Sequence, residues 1–372
     1  LKGLTYAPTG GIVAAATTSL PEHIGGERNW DYRYCWLRDA TYTLMALLEA
    51  GFTAEAAAWR EWLLRAVAGR PDQVQIMYGC AGERRLPEWD VPWLPGYEGS
   101  QPVRVGNAAH DQLQLDVFGE VLDALHQAAV AGVGDVDGET WPLATALVEH
   151  LAEIWRRPDD GIWEVRGGAR HFTHSKVMAW VALDRALRWS ELARRNAPTA
   201  RWAALRDEIH ADVLAHGVDD RGVFVQSYGG TALDASLLLV PLVGFLPPHD
   251  PRVAATVQAI QRELTEDGFV LRYRPEHTAD GLAGSEGVFL LCSFWLVDAL
   301  VVMGRAAEGR ALYERLVALR NDVGLLAEEW DPVAGRLLGN FPQAFSHIGL
   351  VESAMLLTAR GGARHPGARP NP

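Results

Sequence analysis

The stretch SEGVFLLCSFWLVDALVVMG, residues 285–304, runs straight into RAAEGRALYERLVALRND, residues 305–322, and this junction decides the fold class. The first half is apolar around its whole circumference. Its interruptions at Glu286, Ser293 and Asp298 keep it from membrane-spanning quality, so it reads as a helix buried on every side. The second half carries one apolar stripe and one Arg/Glu-rich face, the pattern of a helix with its back to water. A buried helix joined to an amphipathic one is therefore the building unit.

Working outward, the 3.6-residue period predicts further helices over 38–51, 53–69, 110–132, 141–157, 172–195, 199–217, 231–246, 251–267 and 341–361. Residues 9–20 are the candidate for a twelfth. Segments 38–51 and 231–246 share the all-round apolar character, whereas 53–69, 199–217 and 251–267 are amphipathic. Six inner–outer pairs close into an (α/α)6 toroid. An open helical solenoid is the alternative, but no repeat of fixed period is visible and the connections differ in length. The expectation is an all-α, single-domain (α/α)6 barrel over residues 1–360, with a disordered tail over 361–372.

The 372 residues are 48% hydrophobic and 22% charged, with a formal net charge of −13. That is a soluble globular composition whose acidity argues against nucleic acid or an anionic membrane as partner. Cys35, Cys80 and Cys292 are odd in number and widely spaced, so they suggest neither a disulfide framework nor a zinc site. With no leader pattern in LKGLTYAPTGG, a reducing, cytoplasmic setting is expected. The 14 tryptophans exceed what a core needs and suit stacking on flat ligand faces. Oligomeric state leaves no mark on the sequence.

The long connections 19–37, 70–109, 159–170, 267–284 and 323–340 all lead into inner-ring helices, so they should crowd one rim. In DDGIWEVRGG, 159–168, Trp163 stands beside Glu164. A carboxyl packed on an indole loses hydration, its pKa rises, and it suits a general acid. The plainer reading pairs Glu164 with Arg166 on a surface strand. In GLLAEEWDP, 324–332, Glu328 and Glu329 are adjacent. Extended backbone sends them to opposite faces, one to the cavity and the other solvated or paired outside. The plainer reading here is an acidic surface turn. Two carboxylates on separate rim loops are the minimum equipment for glycoside hydrolysis.

The run NWDYRYCWLRD, 29–39, adds Arg38 and Asp39, a donor fork and an acceptor pair suited to vicinal hydroxyls, among the flat faces of Trp30, Tyr32, Tyr34 and Trp36. Core anchors and a helix-start ion pair are the bland version. His110–Asp111 reads equally as pocket or helix cap. His171 and His174 lack a third ligand, and DVDGE, 135–139, lacks the later ligands of a calcium loop. No phosphate loop or dinucleotide fingerprint is present, so neither metal nor cofactor is expected.

NWDYRYCWLRDA, VRVGNAAHDQLQLDVFGEVLDAL, GIWEVRG, EGVFLLCSFWLVDAL and NDVGLLAEEWDP…LGNFPQAFSH together resemble glycoside hydrolase family 15. These are glucoamylase-like inverting α-glucosidases whose bacterial branch includes trehalases. The resemblance covers about residues 4–360 and implies an (α/α)6 barrel. It implies Glu164 as general acid and Glu328 as general base. Arg38 and Asp39 would grip the non-reducing-end glucose, Tyr32 would lie near the attacking water, and Trp36 and Trp163 would form pocket walls. Arg272 would be a further sugar-binding arginine, with Arg274 its competitor two residues on. Bacterial members usually carry a β-sandwich ahead of the barrel, and this chain starts at the barrel. The expected activity is therefore exo-cleavage of short, imported α-gluco-oligosaccharides of isomaltose or maltose type, releasing β-glucose. An α,α-trehalase is the alternative, and a non-catalytic sugar-binding barrel the remote third. The sequence leaves the linkage open.

Overall fold

The computed structural model describes residues 1–133, 140–278 and 280–358. Its helices are α1 (Ala40–Glu49), α2 (Thr53–Val67), α3 (Asp116–Val130), α4 (Thr140–Ile154), α5 (Thr173–Leu192) and α6 (Thr199–His216). They continue as α7 (Leu239–Leu242), α8 (Pro251–Glu263), α9 (Leu290–Val302), α10 (Ala306–Ala318) and α11 (Ala344–Thr358). Residues 290–300 of α9 are all buried, as an inner helix requires. α10 buries only Gly309, Leu312 and Leu316, one residue per turn. A Cβ at Gly309 would lie 3.0 Å from Val297 O, so this glycine lets the two helices approach closely.

The inner elements close on themselves. α1 packs on α3, α3 on α5, α5 on the turn before α7, α7 on α9, α9 on α11, and α11 returns to α1. That closure is an (α/α)6 barrel rather than a solenoid, with α2, α4, α6, α8 and α10 outside. One hydrophobic core reaches from residue 4 to residue 348. Among the described residues no helix is long and apolar enough to cross a membrane.

Three expectations need correction. Residues 9–20 form no helix: Gly11–Ile12 pairs with Thr5–Tyr6, and the following amides donate to Tyr34, Tyr32 and Trp30 carbonyls. Gly10, at φ 85°, backs onto Ala58 O so closely that a Cβ would lie 2.4 Å away. This extended strap braces residues 29–36 from behind. The predicted helix over 231–246 shrinks to a 3-10 turn, Ala235–Leu238, and the single turn α7, because Pro241 supplies no amide hydrogen. Its residues are nonetheless fully buried. The helix predicted over 110–132 starts only at Asp116. Asn107 caps a 3-10 turn, Ala108–Asp111, which holds His110 and Asp111 instead. The tail over 361–372 and the DVDGE turn lie outside the described residues.

Candidate active site

All five long connections contribute to one cavity, about 690 Å³ with the open solvent at its mouth included, with Tyr32, Asn107, Glu164, Arg272 and Glu328 each from a different one. Arg38 and Asp39 sit at the start of α1 and also line it. The Asp39 carboxylate makes no capping hydrogen bond to that helix. Arg38 Nε and Asp39 Oδ1 stand 3.8 Å apart, both buried and without a hydrogen-bond partner among the described residues. Buried polar groups are normally satisfied, so this pair is arranged for something other than itself. Burial raises the Asp39 pKa to about 7, Arg38 opposes the rise, and the Glu164 charge adds to it.

Glu164 follows the Gly161 turn and adopts φ 58°, a left-handed conformation that costs a non-glycine residue about 1–3 kcal/mol. The turn aims its carboxylate inward, where Oε1 accepts from Trp36 Nε1 at 2.6 Å and Arg38 Nη1 at 3.2 Å. Arg38 Nη1 also donates to the Ile162 carbonyl. The indole bonded to Glu164 is thus that of Trp36 rather than the expected Trp163. Trp163 lines the cavity, but its N–H is held by buried Asp234 at 2.9 and 3.0 Å. The plainer pairing of Glu164 with Arg166 is not formed, because Arg166 bonds Glu88 at 2.7 Å. Tyr32 meets Trp36 edge to face at 5.4 Å.

Glu328 stands at a bend and Glu329 opens the strand that follows, and only Glu328 lines the cavity. Glu328 lines the cavity and is 1% exposed. Burial and then the neighbouring Glu22 charge raise its pKa to about 8, while Arg272 and a hydrogen bond from Tyr32 hold it back. Glu329 is not solvated as one expectation had it. Glu329–Asp331 is the middle strand of a three-stranded sheet, between Arg336–Leu338 and Val288–Phe289, so both of its edges are paired. Glu329 is fully buried and its Oε2 accepts from Gly287 N at 2.7 Å.

Arg272 lines the cavity, whereas Arg274 turns outward to Glu266 at 3.3 Å. Behind the cavity wall, Glu22, Glu286 and Glu329 bring oxygens within 4.8 Å of one another, a spacing that suits a cation. The Arg272 guanidinium occupies that position, with Nη2 2.9 Å from Glu22 and 3.8 Å from Glu329. His171 stacks on Tyr228 ahead of α5, and His174 is buried within it, its pKa lowered to about 3 by burial and by Arg38. The two histidines do not act as a pair.

The family model for glycosyl hydrolases family 15 matches residues 1–355. The chain belongs to that family. It is 51% identical over 358 residues to a trehalase of Mycobacterium tuberculosis, covering 95% of this chain and 52% of that protein. An isomaltose glucohydrolase of Kribbella flavida is 30% identical over 287 residues, covering 74% of this chain and 69% of the relative. A solved glycosidase superposes with a TM-score of 0.75 at 21% identity, over 96% of this chain and 93% of that one, a likeness that bears on fold alone. The chain thus spans about half the length of the trehalase it matches.

In this family 15 barrel, sequence reasoning missed the buried charge network behind Arg272. Arg28 joins it, bonding Glu286 at 3.0 Å and Asp280 at 2.8 Å. Glu286 carried a signal, a lone carboxylate heading an apolar helix. Glu22 carried none. Gln343 and Phe345 also line the cavity and read only as part of a helix start.

Proposed function

We propose that this chain is the catalytic barrel of an inverting α-glucoside hydrolase whose substrate is α,α-trehalose. The observation that carries the chemistry is the unpartnered Arg38 Nε and Asp39 Oδ1 at the buried end of a cavity flanked by Glu164 and Glu328. A glucose unit seated there, its hydroxyls bonded to Arg38 and Asp39, presents its glycosidic oxygen toward Glu164. Glu164 donates a proton to that oxygen as the bond breaks. Glu328, with Tyr32 beside it, removes a proton from the water that attacks the opposite face. Inversion needs the carboxyl groups roughly 6.5–9.5 Å apart, so that this water fits between base and anomeric carbon.

The likeness to a trehalase at 51% identity, against 30% for the isomaltose glucohydrolase, favours trehalose and reverses the order reached from sequence. A strained, donor-bonded Glu164 is an expense that a non-catalytic sugar-binding barrel has no use for. Initial rates of glucose release from trehalose, isomaltose and maltose test the assignment. Trehalose should give the highest kcat/KM. A clear preference for isomaltose would return the protein to the glucohydrolase reading.

A further inference from the structure

Side-chain exposure grades the cavity from floor to mouth: Asp39 is 9% exposed, Arg38 14%, Glu164 18% and Arg166 30%. The general acid of a glycosidase stands at the glycosidic oxygen, between the sugar retained and the sugar that leaves. Everything deeper than Glu164 then faces the first glucose. Arg166, shallower and two residues on in the same loop, faces the leaving group.

Arg166 is held as a binding group is held. Nη1 and Nη2 donate to the two oxygens of Glu88 at 3.1 and 2.7 Å, and the guanidinium lies over the Trp30 ring, 4.7 Å from its centroid. Glu88 is itself fixed by the Ala108 amide at 3.1 Å. The Arg166 amide donates to Asp280 O at 2.6 Å, and Gly281 packs so closely that a Cβ would lie 2.5 Å from the Arg166 carbonyl carbon. Loop 70–109 thus holds the Arg166 side chain, and loop 267–284 holds its backbone. A guanidinium fixed in this way loses little entropy on binding. Its Nε–H and the second hydrogens of Nη1 and Nη2 find no acceptor among the described residues, yet Arg166 lines the cavity.

Resting on the reading of Glu164 as general acid, we propose that Arg166 determines specificity for the leaving sugar, donating to the oxygens of one hexopyranose at the cavity mouth.

The test compares trehalose with α-glucosyl fluoride, whose leaving group is a single fluoride. Arg166→Ala should lower the ratio of kcat/KM on trehalose to kcat/KM on the fluoride ten- to a hundredfold. Glu88→Gln keeps an acceptor but frees the clamp, and should lower the same ratio by less. Equal losses on both substrates would mean that Arg166 acts on the retained glucose or on the fold, and would overturn the proposal. A trehalose loss carried by kcat alone with KM unchanged would overturn it too, being the mark of an effect through the acid Glu164, whose proton the fluoride scarcely needs. So would no loss on either. Wild-type protein that cleaves the fluoride but no disaccharide would also count against Arg166. Wild-type protein inert on every α-glucoside would sink the hydrolase reading first, and this inference with it.

Discussion

Trp36 Nε1 donates to Glu164 Oε1 at 2.6 Å, joining the aromatic run at residues 29–39 to the carboxylate of another loop. Arg38 Nη1 reaches the same oxygen at 3.2 Å, so in the proposed mechanism Oε2 is the oxygen left to carry the proton toward substrate. The dense mixture of rings and charges ahead of α1 is explained by this contact. The rings shape a pocket wall, and the polar edge of Trp36 holds the Glu164 carboxylate.

Replacing Glu164 or Glu328 with Gln should each lower kcat roughly 10²–10⁴-fold, the usual cost of losing a general acid or base. Trp36→Phe removes only the indole donor, and a loss of about tenfold is expected, near the cost of one hydrogen bond to a charged group. Glu329→Gln retains an acceptor for the Gly287 amide and should fold with a smaller kinetic effect. An inactive Glu329→Gln beside an active Glu328→Gln would mean that the two carboxylates have been assigned the wrong way round.

The pH profile follows from Glu328. A base works only when ionised, and burial with the Glu22 charge raises this carboxyl to about 8. The limb along which kcat/KM falls toward acid should therefore lie far above the ordinary carboxylate range. Around Glu328, Glu22 and Glu286 push the limb up, while Arg272 and the Tyr32 hydroxyl pull it down. Glu22→Gln deletes one of the raising charges, so the limb should move to lower pH. A shift to higher pH would contradict the account.

Asp39 should trade stability for function. Its folded-state pKa of about 7 exceeds the roughly 3.9 of an unfolded aspartate, so the folded chain binds the proton more tightly. By linkage, its ionisation erodes folding free energy as pH rises from about 4 to 7. Asp39→Asn should remove that slope and give a Tm at pH 8 equal to or above wild type. The same variant should lose about ten- to a hundredfold in kcat/KM, the cost of one hydrogen bond to a charged group. A helix-start residue with no part in binding would give the reverse, a lower Tm with unchanged kinetics.

Gly339 tests how tightly Glu328 is held. It has φ 75°, and a Cβ there would lie 2.7 Å from Glu328 Oε2. Gly339→Ala should cost about 1–2 kcal/mol in backbone strain and, by displacing the carboxylate, lower kcat at least tenfold. Gly335, in the adjoining turn at φ 65° with open space around it, is the control. Gly335→Ala should lose stability alone, as read from thermal melts and initial rates on one preparation. Equal kinetic losses in both variants would show that the effect comes from the turn.

The alternation of all-round apolar and one-sided helices was readable because burial on every face leaves no position for a charge, as in α9 against α10. Boundaries were less legible where tertiary pairing took residues from a helix, as when Val288–Phe289 joined the sheet of Glu329–Asp331. The strap at residues 9–20 escaped because its backbone partners, Tyr34 and Tyr32, are distant from it in sequence. The rim carboxylates stood out as charges beside aromatics. What held them did not: nothing near Glu164 in sequence points to Trp36, and Glu22 meets Arg272 across 250 residues.

The anomers formed first from trehalose test the central claim most directly. Glucose leaving with its own α-anomeric carbon untouched stays α, whereas the unit attacked by Glu328-activated water becomes β. Proton NMR, sampled before mutarotation, should show α- and β-glucose appearing in equal amounts. Early product that is α-glucose alone would mean retention, and would contradict the pairing of Glu164 and Glu328 as acid and base on opposite faces.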